Sequence, residues 1–369
     1  VAFTCGRHRA FVYGRGGSPL IGELTPATAV RWNRIRDNIS EGYVAVGTTN
    51  CCDLLGDLRT ILHELHIERD GVEVWQGPIT RIEYEWDNVK VYAEDMLWVA
   101  KRTVLRTGYD QSYPNIGNVL DRMDWLMRSQ TYARNSDPWK MVPHLHPVRH
   151  EDEPSTTRKV GAFQYYTWED FDKYAEDNGT DYTVVNRDIY YWDVHLRWKI
   201  IPTLHDDHLS QFPRIVEYGN QAATQGFVSN TEGYAGTASA PQTMLDLYGD
   251  IDWLITNLDD SDLSAPDAAE IASWSKTAAR NIADRSPAPV AIVIPANTTL
   301  LPGAPWTIPD MIPGAWFLAV ATRMCRKVSE WHRLHEVRVE ETAPKGEVVN
   351  FTAVAAPGSV ADLPPGTLP

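Results

Sequence analysis

Two consecutive hairpins constrain this chain more than any other feature. Between Leu65 and Ala93, apolar residues alternate with polar ones, and each run of alternation ends in turn residues. Leu65 and Ile67 lead into Asp70-Gly71, a pair that supplies the positive φ angles of a two-residue type I′ turn, and Val72 and Val74 return from it. Ile82, Tyr84 and Trp86 then run to Asp87-Asn88, and Val89, Val91 and Ala93 come back. A period of two gives each strand one apolar face, and a meander of such strands closes into a small barrel or sandwich. Trp75 and Trp86 are expected to support that first β domain. Gly77-Pro78 predicts a bulge or edge kink, since proline donates nothing to a ladder. Met96, Leu97, Ala100 and Val104 fit a short helix that ends the domain.

The rest of the chain is read around this meander. Phe11-Val12-Tyr13 is a short apolar stretch followed by a turn-rich run, Gly14 to Pro19, which lacks the Gly-Lys-Ser/Thr ending of a phosphate loop and reads as a plain loop. Ile116, Val119, Leu120, Met123, Leu126 and Met127 trace one helical face, with Asn115 as N-cap. Thr167 and Asp170 form an approximate capping box for a helix that stops at Asn178-Gly179. Strands follow at Tyr182–Val185 and Ile189–Trp192 around the turn Asn186-Arg187-Asp188, and a third is expected at His195–Ile201. Residues 213–240 are β again, with a turn at Gly233–Gly236. Residues 241–286 read as helical, with Ser264 capping a helix that carries Pro266 in its first turn and Ile271, Trp274, Ala278 and Ile282 on one face. Val290–Ile294, Trp316–Ala321, Leu334–Val339 and Val348–Val354 read as strands, the last two joined by Pro344-Lys345-Gly346.

The fold class is therefore α+β, mainly β. The expected organisation is an N-terminal arm at 1–25, a first β domain with its closing helix at 26–106, and a mixed α/β insertion at 107–206. A second β domain occupies 207–240 and 287–356, interrupted by a helical insertion at 241–286. An extended tail with four prolines covers 357–369. At 369 residues the chain exceeds the ~250–300 at which single cores stop growing, so more than one domain is expected.

Charge and chemistry narrow the function. The formal net charge is −15, from 34 basic and 49 acidic residues, which argues against a surface built to grip nucleic acid. No apolar run approaches the ~18 residues of a membrane span, and Val1–Arg7 has no secretion-signal pattern, so neither a membrane anchor nor secretion is expected. Cys5, Cys51, Cys52 and Cys325 fit neither a zinc site nor a Cys-x-x-Cys pair, and free thiols are favoured over a strained Cys51–Cys52 disulfide. His144, His146 and His150 have metal-ligand chemistry, and His144 and His146 would share one face of an extended segment. Pro143 and Pro147 favour a solvated loop instead, and no His-Glu-x-x-His occurs. His205-Asp206-Asp207-His208 is read the same way. No Gly-x-Ser-x-Gly elbow, marked carboxylate pair or activated thiolate appears. The expectation is no catalytic residue, no cofactor and no metal. The 14 Trp and 16 Tyr either fill β-rich cores or form interfaces and sugar platforms.

Three stretches together carry a resemblance: Trp32-Asn-Arg-Ile-Arg-Asp-Asn-Ile-Ser-Glu41, then Cys51-Cys52-Asp-Leu-Leu55, then His63 through Ile79 with its Arg69-Asp-Gly hairpin and Trp75-Gln-Gly-Pro78 strand. With Ala93-Glu94-Asp95 at the domain end, and with Trp168–Arg187, Tyr248-Gly249 and Ile294 to Gly303 further on, they resemble minor tail proteins of siphoviruses that infect actinobacteria. The resemblance spans most of residues 5–355. It implies a baseplate hub at the virion tail tip, assembled in the host cytoplasm. In such a hub each chain has two tail-tube-like β-barrels with insertions, and three chains form a homotrimer that matches a sixfold tube to a threefold tip. Implied partners are the distal tail or tube ring protein, the tape-measure protein, other tail-tip or fibre proteins, and passing genomic DNA without specific binding. Some relatives carry a lytic or fibre domain after the hub, and none is expected after Val354. A carbohydrate-binding receptor module, favoured by the aromatic load, is the alternative, and a cell-wall hydrolase comes third.

Overall fold

The structure is a computed structural model that describes residues 5–47, 52–109, 119–128, 144–148, 160–177, 180–193, 196–217, 219–229, 234–256, 268–283, 285–286, 290–295, 298–323, 325–343, 345–355 and 361–362. In chain order the first strands are β1 His8–Gly14, β2 Leu20–Glu23, β3 Ala27–Ile35 and β4 Glu41–Gly47. Helix α1 Cys52–Asp57 leads to β5 His63–Arg69, β6 Val72–Tyr84 and β7 Asn88–Glu94. Helices α2 Leu97–Lys101 and α3 Val119–Trp125, strand β8 His144–Val148, helix α4 Thr167–Asp177, and strands β9 Thr180–Val185, β10 Asp188–Asp193 and β11 Leu204–His205 follow. Next come β12 Arg214–Glu217, β13 Gln225–Ser229, β14 Ala235–Ser239, α5 Gln242–Tyr248, β15 Asp252–Thr256, α6 Ala268–Ala283 and β16 Val290–Val293. The chain ends with β17 Trp316–Ala321, β18 Val328–Thr342, β19 Gly346–Ala355 and β20 Ala361–Asp362. Val1–Gln211, Ala296–Phe317 and Arg333–Val354 form one compact unit; Phe212–Pro295, Leu318–His332 and Ala355–Pro369 form a second.

The first unit is built on an antiparallel sheet with the neighbour order β18-β3-β4-β7-β6-β5-β1-β2. The Asp70-Gly71 turn is as the sequence predicts: Arg69 pairs with Val72, and both turn residues have positive φ, 52° and 80°. Strand β6 changes partner halfway. Its residues 72–78 pair with β5 and its residues 79–84 pair with β7, with a register shift between Ile79 and Arg81. Gly77-Pro78 sits at this switch, where the strand turns from one ladder to the next. A Cβ on Gly77 would lie 1.9 Å from the Glu94 carbonyl oxygen, so only glycine lets β6 approach β7 so closely. Val12, Val30, Trp32, Val44, Leu65, Ile67, Trp75, Val91 and Val339 are buried inside. Trp75 lies over Gly42, where a Cβ would meet its ring at 2.5 Å. Trp86 departs from expectation: it follows β6 at the tip before β7 and is 99% exposed, so it supports no core. Among the described residues no sheet closes on itself.

A second core in this unit gathers Leu97 and Ala100 of α2, Val119, Leu120 and Met123 of α3, Phe171 and Tyr174 of α4, and Tyr182, Val184, Ile189 and Tyr191 of the β9–β10 hairpin. That hairpin turns on two residues, Asn186-Arg187, with Asn186 at φ 57° and Val185 paired with Asp188. The α4 cap differs from the expected box. The first i→i+4 bond runs from the Asp170 N–H to Tyr166, Glu169 accepts from the Tyr166 N–H, and the Thr167 hydroxyl donates to Thr103 O instead. Residues 196–199 are not a strand, and only an isolated bridge joins Ile200 to Trp316. Asn115, Asn178-Gly179, Ser264, Pro266, Gly233 and Pro344 lie outside the described residues.

In the second unit β12 pairs antiparallel with β16, and β14-β13-β15 form a small mixed sheet under α6. The predicted helical stretch 241–286 thus contains a strand, β15, parallel to β13. Helix α6 packs directly on the β13–β14 hairpin. Added Cβ atoms at Gly226 and Gly236 would reach Ile282 at 2.8 Å and the Ser275 nitrogen at 2.4 Å.

Candidate functional site

The outward face of the first unit's sheet carries an open polar groove. Because Val30, Trp32, Val44, Val91, Val337 and Val339 point inward, the alternate residues Arg31, Tyr43, Lys90, Tyr92, Arg338 and Glu340 point outward. They line an open groove of about 1060 Å³ together with Arg81, Trp98 and Arg102. Arg81 sits 3.9 Å over the Tyr92 ring, Arg31 sits 5.3 Å from the Tyr43 ring, and the two tyrosines are 5.1 Å apart. The cations are matched by carboxylates: Arg31 by Glu340 at 2.9 Å, Arg338 by Glu336 at 2.9 Å, and Lys90 by Glu85. Arginine and aromatic side chains with paired charge suit a protein–protein contact.

Elsewhere the chain uses its polar groups on itself. The Gly14–Pro19 loop does hold an anion, and that anion is Glu64. Gly16, with φ 87°, donates its N–H to the Glu64 carboxylate at 2.6 Å, Gln76 Nε2 donates at 2.8 Å and Arg187 Nη1 at 2.7 Å. Burial opposes ionisation of Glu64, but the neighbouring His66, the Arg187 charge and hydrogen bonds from Gly16 and Gln76 outweigh it and hold the carboxyl below its ordinary range. Glu347, whose side chain is also fully covered, receives Arg69 through two parallel bonds of 2.7 and 2.8 Å and the Gly6 N–H at 2.7 Å. Trp32 Nε1 donates to His8 Nε2 at 3.1 Å, so His8 carries its proton on Nδ1 and donates it to Glu341 at 2.8 Å. Asp95 accepts the Ser40 N–H at 2.6 Å and the Leu97 N–H at 2.9 Å, which ties the β3–β4 turn to the start of α2. Full burial pushes Asp95 up to about 7 against those two bonds.

The histidines weighed in the sequence fall into two groups. His208 Nδ1 accepts the His205 N–H at 3.1 Å, which commits it to the local turn. His144 and His146 are not on a loop. They lie on β8, parallel to β10, with His144 opposite Asp188 and His146 opposite Tyr190. His144 Nδ1 and His146 Nε2 both reach Asp188 Oδ1, at 3.1 and 2.9 Å. His150 lies outside the described residues. Cys5 and Cys325 are free and exposed, and the Cys51–Cys52 side chains are outside the described set.

No protein-family model and no curated protein sequence matches the chain. Solved structures do match it. The tail protein from Neisseria meningitidis MC58 superposes with a TM-score of 0.58 at 11% identity, over 95% of this chain and 97% of that one. The 43 kDa tail protein of prophage MuSo2 from Shewanella oneidensis gives 0.57 at 10% identity, over 94% of this chain and 97% of its own. The chain shares the fold of these two tail proteins. Prophage tail protein gp18 from Listeria monocytogenes EGD-e shares it at a TM-score of 0.55 and 9% identity, over 93% and 94% of the two chains. The fold recurs in a larger chain of the Francisella PdpA-VgrG complex, with a TM-score of 0.51 at 9% identity, over 94% of this chain and 58% of that one. Among the described residues, the tail-protein fold here carries no helix long and apolar enough to cross a membrane.

Proposed function

We propose that the chain is a structural, non-catalytic component of a phage tail, a baseplate-hub type of minor tail protein at the tail tip. The observation that carries this reading is end-to-end likeness. Three tail proteins align over nearly their whole length and nearly all of this chain, so the shared feature is the complete arrangement and not one recurring domain. In the narrower form of the proposal, each chain supplies two tail-tube-like barrels within 26–106 and within 207–240 plus 287–356, and three chains form a homotrimer below the tube. The partner switch of β6 supports the first barrel, since a strand that bends from one ladder to the next is how a sheet curls. The matching Francisella chain comes from a complex of two different proteins, which supports association of this chain with other proteins of the tail. The sequence motifs at Asp70-Gly71, Trp75–Pro78 and Ala93–Asp95 favour a siphovirus of an actinobacterial host.

Immunogold labelling of virions with antibody against this chain, joined to negative-stain averaging of the purified protein and of tail tips, tests the proposal. Gold at the tail tip and a threefold particle in the assembled tail are expected. Label along the tail shaft or on the capsid, or a sixfold ring of this chain within intact tails, would overturn it.

A further inference from the structure

We propose that His144, His146 and Asp188 bind a divalent transition-metal ion of the zinc class on the β8–β10 edge. Three observations meet there. First, the parallel register of β8 and β10 sets His144 opposite Asp188 and places His146 two residues on along the same face, so all three side chains project together. Second, their donor atoms converge. One atom from each residue lies within 4.8 Å of the others, and both ring nitrogens stand 2.9–3.1 Å from the single oxygen Asp188 Oδ1. Ligands held at the ~2.0–2.2 Å of a zinc site are separated by roughly 3.3 Å in a tetrahedron, so to admit the ion each nitrogen–oxygen pair opens by a few tenths of an ångström, while the two ring nitrogens, within 4.8 Å of each other, settle to the same spacing by rotation of their exposed side chains. Third, the nearest ring is braced. His146 stacks on Tyr190 with centroids 4.9 Å apart and 18° between planes, and Tyr190 stacks on Trp198 at 5.5 Å and 22°. Such packing holds a ligand's ring orientation before the metal arrives.

Two imidazoles and one carboxylate form a nitrogen-rich, borderline donor set, which selects zinc, cobalt or nickel over magnesium and calcium. To coordinate, His144 frees Nδ1 and His146 frees Nε2, and each moves its proton to the other ring nitrogen. Asp188 then gives its oxygen to the ion in place of two hydrogen bonds. The histidine side chains are 73% and 44% exposed, which leaves the remaining coordination positions open to water or to a donor from a neighbouring protein. The ion pins β8 to the β9–β10 hairpin, and this holds whether or not the chain is a hub.

The test is a titration of the full-length, tag-free chain, stripped with a chelator, with cobalt chloride and then zinc chloride. One cobalt per chain with the visible ligand-field band of a low-coordinate site, displaced by zinc, is expected. His146→Ala and Asp188→Asn should each weaken binding at least about tenfold, since even outer partners of ligands cost that much. His205→Ala should leave binding unchanged. Because both histidines are exposed and Asp188 is only half-buried, circular dichroism should show every variant folded; zinc should raise the melting temperature of the parent and not of His144→Ala/His146→Ala. No cobalt band in the parent, or full binding by that double variant, would refute the site.

Discussion

At the scale of single residues, the motifs that mark this chain are explained by packing. Trp75 covers Gly42, Gly77 lets β6 reach Glu94, and Asp95 collects two N–H groups that nothing else would satisfy. Trp75→Ala should therefore cost about 3–5 kcal/mol in urea denaturation, as large buried aromatics do. Trp86→Ala should change stability by less than about 0.5 kcal/mol, because the side chain stands in solvent. Equal losses for the two would contradict this placement. Asp95 also predicts a pH dependence. Its folded pKa, about 7, lies above the ~3.9 of an unfolded aspartate. The folded state then holds a proton that the unfolded state has released. Asp95's contribution is full below the unfolded value and is lost as pH rises from about 4 to about 7. Asp37, pushed up to about 7 by burial and by nearby Asp181, acts in the same direction. Glu64, held low, acts oppositely, and its contribution disappears as pH falls through its folded pKa. Denaturation midpoints should fall between pH 5 and 7, and Asp95→Asn should flatten that slope; an unchanged slope in the variant would remove Asp95 as its source.

At the scale of elements, close approach explains where glycines matter. Gly236→Ala puts a methyl 2.4 Å from the Ser275 nitrogen and 2.5 Å from Trp274 Cβ, so α6 must lift from the β13–β14 hairpin, at a cost of about 1–3 kcal/mol. Gly71→Val meets no atom within 4 Å but is strained at φ 80°, and should cost about 1 kcal/mol or more. Gly56, inside α1 with open space around it, should respond the other way: Gly56→Ala should stabilise by up to about 1 kcal/mol. Thermal melts of the three variants check the order. The same elements show what a sequence can and cannot reveal. The β5–β6 and β6–β7 hairpins were legible because their turns are local and their faces alternate cleanly. Strand β18 was read only at Leu334–Val339 because its first half buries Ser329, Glu330 and His332, polar residues that break the pattern. His332 Nε2 donates to Ile292 O at 2.8 Å and Glu330 accepts the Ile292 N–H, so the burial is satisfied by a distant strand. Strand β15 was hidden for a similar reason: its partner, β13, lies across an intervening helix. The His144–His146 pair was visible, but Asp188, which turns it into a site, is brought in by a parallel pairing that no local pattern announces.

At the scale of the whole molecule, charge decides how the chain meets nucleic acid. A formal charge of −15 opposes phosphate at long range, within the roughly 8 Å over which physiological salt leaves charges unscreened. The sheet face is a sharper test, because it is the one groove described above that gathers several arginines. Its surface is mixed, with cations and carboxylates side by side. Yet Arg31, Arg338 and Lys90 are each already held by a carboxylate. A phosphate must break those pairs before it gains a contact, and the counterion release that drives DNA binding needs unpaired cations. Filter binding with duplex DNA at physiological salt should show no retention. Glu336→Gln with Glu340→Gln, which removes the charges that neutralise Arg338 and Arg31, should raise retention at low salt, and that retention should disappear as salt increases. Tight binding by the parent chain would mean that pairing does not silence the groove, and a DNA-gripping role would then have to replace one in which DNA passes freely.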